Sequence, residues 1–220
     1  MSARSFACPP HRYRPGIAPP PFVSFEGVDG AGKTTQARLY ADWLRARGFE
    51  VVELREPGGT HVGERVRELV LLELDARISP RSEALLFAAS RAQAVEEIIA
   101  PALARGAHVV ADRFVDSSLV YQGSVRALGV DAVRAVNDFA MAGVLPDRTV
   151  VLELPARDAQ QRREGLPDDR IEAEALGFQE LVARGYAALA AAEPQRIVRV
   201  LAEGDPDMIA ARVREAIGGG

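Results

Sequence analysis

The residues Gly27-Val28-Asp29-Gly30-Ala31-Gly32-Lys33-Thr34 fit the pattern G-x-x-x-x-G-K-[ST] without mismatch, and Lys33 is the only lysine among the 27 basic residues of the chain. This spacing suits one kind of chemistry. Glycines let backbone N–H groups turn inward and cradle phosphate oxygens at a helix N-terminus. A compact ammonium on a flexible stem reaches the β- and γ-phosphates as a point charge, whereas a planar guanidinium is wider and forked. The hydroxyl of Thr34 is then placed to ligate magnesium. The pattern therefore predicts a nucleotide site in which Gly27, Asp29, Gly30, Ala31, Gly32, Lys33, Thr34 and Thr35 surround the donor phosphates.

Such a loop works only between a strand and a helix. Phe22-Val23-Ser24-Phe25 reads as the strand and residues 35–47 as the helix. Further strands are expected at 49–54, 107–111, 148–154 and 196–201, all short and mostly apolar, as strands covered on both faces are. Helices are expected at 33–47, 61–73, 80–104, 116–122, 130–142, 156–164, 171–191 and 205–217. Ser79-Pro80 is a start signal, an N-cap followed by proline at the first helical position. Strands alternating with helices predict an α/β fold with a parallel sheet, in which ligands bind at the carboxyl ends of the strands.

The bulk properties narrow the setting. A chain of 220 residues fits one α/β domain, here 21–220. A net charge of −4 gives no global basic footprint, so nucleic acid is not expected as a partner. The single cysteine, Cys8, cannot form an intramolecular disulfide, and no run of 18 apolar residues suggests a membrane span. Residues 1–20, rich in proline and lacking the apolar core of a signal peptide, are expected to form a flexible, disordered leader.

Chemistry-bearing residues cluster where the strands should end. Arg55-Glu56-Pro57-Gly58-Gly59 follows the second strand, and Asp112-Arg113 follows the third, with Ser118 and Tyr121-Gln122-Gly123 behind it. Phe87 and Arg91 lie one turn apart on the helix between. Arg162, Arg163 and Arg170 follow the fourth strand. With the loop 27–35, the stretch Leu86-Phe87-Ala88-Ala89-Ser90-Arg91 and Asp169-Arg170-Ile171-Glu172, this series resembles the bacterial thymidylate kinases in order and spacing from about residue 22 to about residue 205.

The resemblance implies a P-loop NTPase-type, three-layer α/β/α fold with a five-stranded parallel sheet, and a lid at about 157–170. It implies a cytoplasmic, homodimeric enzyme that uses Mg2+ and ATP to phosphorylate dTMP. Lys33, Arg113, Arg162, Arg163 and Arg170 would be catalytic, since the loop itself carries no extra basic residue and the lid must supply the positive charge. Thr34, Asp112 and Asp29 would hold the metal. Asp29, Arg55, Glu56, Arg67, Phe87, Arg91, Arg113, Ser118, Tyr121 and Gln122 would bind dTMP. Phe87 would stack on the base and Arg91 would donate to O4 of thymine, where cytosine carries an amino donor instead. Tyr121 would block a 2′-hydroxyl, and the loop 202–206 would touch adenine. Two other readings share the loop: a kinase for uridylate, guanylate or a deoxynucleoside, and a non-catalytic ATP-binding module. A guanine-specifying N-K-x-D is impossible, because the sole lysine is already in the loop.

Overall fold

Five parallel strands form the centre of a computed structural model that describes residues 19–72, 77–162, 170–171 and 176–218. They are β1 (Phe22–Gly27), β2 (Val51–Arg55), β3 (His108–Asp112), β4 (Arg148–Glu153) and β5 (Ile197–Leu201), in the spatial order β2-β3-β1-β4-β5. The central strand β1 is buried at every position, while the edge strands β2 and β5 keep exposed residues. Centrality explains why β1 is buried even at Ser24 and Glu26, because both of its faces are covered. The chain order reverses beside β1, with β3 on one side and β4 on the other. A crevice opens at that point at the carboxyl ends of the strands, and the Gly-rich loop leaves β1 into it.

The helices in chain order are α1 (Lys33–Arg45), α2 (His61–Arg67), α3 (Pro80–Ala94), α4 (Ala100–Ala104), α5 (Val115–Ser118), α6 (Val130–Met141), α7 (Ala156–Gln161), α8 (Leu176–Ala192) and α9 (Pro206–Ala216). Ser79 caps α3 as its sequence suggests, accepting from Ser82 N at 3.2 Å. Among the described residues, three segments depart from regular α geometry. Glu68–Leu72, Val95–Ile99 and Leu119–Val125 are π-helical, continuing α2, joining α3 to α4 and continuing α5. The expected single helices 61–73, 80–104 and 116–122 are therefore wider-wound in places, which periodicity alone does not show. The turn Leu119–Val125 carries Tyr121 and Gln122, and such bulges often re-aim side chains at functional sites.

Of the expected leader, residues 1–18 lie outside the described residues. Pro20 is buried, and its carbonyl accepts from His108 Nδ1 at 3.1 Å. Pro21 O accepts from Val109 N at 2.7 Å, so the chain joins the sheet just before β1.

Candidate active site

The glycines of the loop serve two different needs. Gly27 has φ 139°, and a Cβ there would lie 2.6 Å from Leu152 O on β4, so close strand approach demands glycine. Gly32 has φ 93° with nothing near its missing Cβ, so its requirement is conformational. The left-handed turn at Gly32 leads straight into α1 and aims the first N–H groups of that helix at the crevice. Lys33 is folded back against the loop, donating to Val28 O at 2.8 Å and lying 3.6 Å from Asp29 Oδ1. Burial and then repulsion from Arg113 lower its ammonium below the usual range, despite the attraction of Asp29.

A cavity of about 690 Å³ spreads from this loop across the strand ends. Asp29, Gly30, Gly32, Lys33, Thr34 and Thr35 form its floor on the loop side, while Gly27 and Ala31 stand behind them. Arg55 and Glu56 enter after β2, Arg67 from α2, Phe87 from α3, and Asp112 and Arg113 after β3. Ser117, Ser118, Tyr121 and Gln122 close the far wall, and Arg162 faces in from the end of α7. Segments spread over more than 100 residues of sequence therefore meet in one concave site.

Thr34 Oγ1 donates to Asp112 Oδ2 at 2.5 Å, a hydroxyl and a carboxylate paired at the mouth of the loop. This oxygen pair fits a hard divalent cation that takes its other ligands from water and phosphate. Asp29 is engaged elsewhere. It accepts from Arg113 Nη2, from Tyr121 Oη at 3.2 Å and from Gln179 Nε2 at 3.1 Å. Burial alone would raise the Asp29 carboxyl, but Arg113 and Lys33 outweigh it and hold it well below the usual carboxylate range. The metal set expected from the resemblance thus divides: Thr34 and Asp112 stand together, and Asp29 joins Arg113.

Arg113 occupies left-handed backbone at φ 69°, an uncommon conformation for a side chain of its size. A network that sequence reading missed holds it there. Arg113 N donates to Phe25 O at 3.0 Å, and Nη1 donates to Ser117 Oγ at 3.0 Å. Behind them Glu26, fully buried on β1, accepts from Phe114 N at 2.8 Å, Ser117 Oγ at 2.6 Å and Tyr186 Oη at 2.7 Å. Burial, with Asp116 next, raises the Glu26 carboxyl. An acidic residue inside the apolar run of β1 was the available signal. Asp116, despite its neighbours Ser117 and Ser118, points away and pairs with Arg196 at 2.7 Å.

Two expected contacts are revised by the geometry. Arg91 does not line the cavity. It is 1% exposed and sits behind the wall, donating from Nε to Glu56 Oε2 at 2.9 Å, from Nη1 to Ser118 Oγ at 3.2 Å and to Asn137 Oδ1, and from Nη2 to Phe114 O at 3.1 Å. Its donors reach the cavity only through Ser118 and Glu56. Arg170 does not line the cavity either. Its guanidinium donates to Glu83 Oε2 and, at 2.7 Å, to Val70 O, while its N–H donates to Leu71 O at 3.0 Å. Arg162 does face the cavity and donates to Ala202 O at 2.9 Å. Arg163, with Asp169 and Glu172, lies outside the described residues.

Glu56 is 3% exposed, and its Oε1 is a buried acceptor without a hydrogen-bond partner. Burial pushes its carboxyl up to about 7, which the adjacent Arg91 offsets only in part. Between the ordinary value of 4.5 and that raised value, the folded protein holds a proton that the unfolded chain has released. Stability from this group is therefore fully present at the acid end of the window and is lost as pH rises through it. Melting temperatures of the wild type and Glu56→Gln, measured from about pH 5 to about pH 8, should show a downward slope in the first that is reduced in the second. Parallel slopes would remove Glu56 as the source.

A central parallel sheet, a lysine-bearing phosphate loop on β1, and a second anion-binding wall of arginines across the crevice define a P-loop nucleotide kinase with room for two phosphorylated ligands. The model of the thymidylate kinase family matches residues 25–213. The chain is 48% identical over 179 residues to a thymidylate kinase of Caldanaerobacter subterraneus subsp. tengcongensis, covering 81% of this chain and 86% of that one. It is 46% identical over 195 residues to one of Clavibacter sepedonicus, covering 88% and 92%. The crystal structure of thymidylate kinase from Ehrlichia chaffeensis superposes with a TM-score of 0.72 at 30% identity, over 90% of this chain and 98% of that one. The chain belongs to the thymidylate kinase family.

Proposed function

We infer that this chain transfers the γ-phosphoryl group of ATP to the 5′-phosphate of dTMP, in line, with the acceptor bound across the crevice from the phosphate loop. The observation that carries this reading is the single cavity shared by the loop residues Lys33 and Thr34 and by Phe87, Arg113, Tyr121 and Gln122. The acceptor phosphate has a second pKa of about 6 and is largely dianionic at neutral pH, so no general base is needed. Catalysis reduces to positioning and charge neutralisation.

Lys33 neutralises the donor phosphates, and Arg113, held by Asp29 and Ser117, neutralises the group in transit. Arg55 and Arg67 lie on the acceptor side, where Arg67 Nη1 also donates to Pro57 O at 3.2 Å. Arg162 is the lid arginine placed to reach the transferring phosphoryl. Thr34 and Asp112 would hold Mg2+, which would supply charge neutralisation to the donor phosphates. Glu56 Oε1 offers an acceptor to water at the same wall. Phe87, partly buried against the core and open to the cavity, stacks on the base. Tyr121, held by its bond to Asp29, crowds the sugar. A homodimer, implied by the family resemblance, would cover Phe139, which is 91% exposed on α6. The family resemblance implies a cytoplasmic setting, and no described helix is long and apolar enough to cross a membrane.

The test is ADP release with Mg-ATP and dTMP, dUMP, UMP, dCMP or dGMP as acceptor. dTMP should exceed dCMP in kcat/KM by roughly a hundredfold or more, because the wrong base leaves buried polar groups facing like partners. Preference for another monophosphate would overturn the base pocket. ATP binding without turnover on any acceptor would overturn the reaction.

A further inference from the structure

Glu83 was singled out by no motif. It lies in the first turn of α3, is 1% exposed, and has no direct place on the cavity wall. A carboxylate so deeply buried needs partners, and it has them on two sides. Oε1 accepts from Gln122 Nε2 at 2.9 Å, with Arg126 Nε 3.6 Å away, and Oε2 accepts from Arg170 Nη2. Gln122 is 2% exposed and lines the cavity beside Phe87 and Ser118.

A carboxylate can only accept, so it turns the donor end of the Gln122 amide toward itself. The Gln122 carbonyl oxygen is thereby left as the polar atom of that side chain available to the cavity. We propose that Glu83 is a positioning residue for base selection: it fixes the Gln122 amide so that an acceptor, not a donor, meets the edge of the bound base. The inference rests on reading this part of the cavity as the base pocket. Thymine carries a hydrogen at N3 and would donate to that oxygen. Cytosine carries a lone pair at N3 and would face it acceptor to acceptor. Arg170 completes the device by occupying the second carboxylate oxygen, so the end of the lid and the base-reading amide share one anion.

The substitution Glu83→Gln tests this because it keeps shape and alters the hydrogen-bond logic. Arg170 can only donate, so it claims the new amide oxygen. The new NH2 then faces Gln122, whose own amide must invert and offer its NH2 to the cavity. The kcat/KM ratio of dTMP over dCMP should fall by roughly tenfold or more, with dCMP efficiency rising in absolute terms. A merely structural role would lower both substrates together, and that parallel loss would overturn the proposal. In a Gln122→Leu background, Glu83→Gln should leave the ratio unchanged, since Glu83 acts through Gln122; a further fall would also overturn it.

If Glu83→Gln does not fold, the wild-type protein still decides, using N3-methyl-dTMP as acceptor. It should be at least roughly a hundredfold poorer than dTMP, and comparable turnover would overturn the assignment. Failure of the underlying base-pocket reading looks different: Gln122→Leu alone would then leave the dTMP over dCMP ratio untouched.

Discussion

Replacing Lys33 with alanine should lower kcat by at least ~10³-fold, the scale seen when one preorganised charge on a transferring group is removed. The argument rests on the structure around Nζ. It is parked on Val28 O at 2.8 Å and near Asp29, inside the loop that will surround the phosphates. The chain holds no second lysine, and Arg113, held by Asp29 and Ser117, is not free to move into the place of Nζ. Lys33→Arg should rescue little, because a forked, planar cation does not fit the space of a point charge. Folding should survive both changes, since Lys33 is tied only to its own loop. Single-turnover assays with circular dichroism melts would check this, and near-normal rates in folded Lys33→Ala would end the phosphate-cradle assignment.

Replacing Arg91 should act first on stability. The Arg91–Glu56 pair is 2.7 Å apart, with side chains 1% and 3% exposed. Removing Arg91 withdraws the donors shared by Glu56, Ser118, Asn137 and the Phe114 carbonyl, and the Glu56 carboxyl, already raised, then keeps its proton; the unmet buried groups together cost about 3–5 kcal/mol. For a domain of this size that corresponds to a drop in Tm of roughly 10 °C. Arg91→Met should show this loss in urea titrations, and the loss should deepen as pH rises, because the bare Glu56 carboxyl must keep its proton in the folded state; adding Glu56→Gln should remove that pH dependence. A stability within about 1 kcal/mol of wild type in Arg91→Met would contradict the buried-pair account. Because Ser118 loses its donor, folded Arg91→Met should also discriminate less well between dTMP and dCMP.

The contrast between these residues shows how far the chain could be read without its structure. Lys33 and Thr34 belong to a pattern eight residues long whose meaning is local: glycines set the turn, the next helix sets the N–H groups, and the lysine follows. The strand positions were equally legible, because apolar runs bounded by Gly48 or Gly106 carry their own punctuation. Phe87, Tyr121 and Gln122 were recognisable only as members of a spaced set, and the cavity brings that set together. Glu26 showed only as an acidic residue among apolar ones, and Glu83, Asn137, Gln179 and Tyr186 gave no comparable signal. Each acts by meeting a partner from another element.

The sequence by itself determined an α/β order of elements, a phosphate loop on the first strand and a series of cations and aromatics at the strand ends. These follow from hydrophobic periodicity, turn chemistry and short motifs, which are encoded within a few residues of one another. Only the tertiary structure decided which arginines line the cavity. Arg91 is claimed by Glu56 across 35 residues and Arg170 by Glu83 across 87, both off the cavity wall, while Arg113, tied to Asp29 across 84, lines it with Arg55, Arg67 and Arg162. The physical reason is that a long cationic side chain can lie along many directions at similar intrinsic cost. Its direction is chosen by the buried carboxylate that needs it most, and the fold alone determines which carboxylate that is.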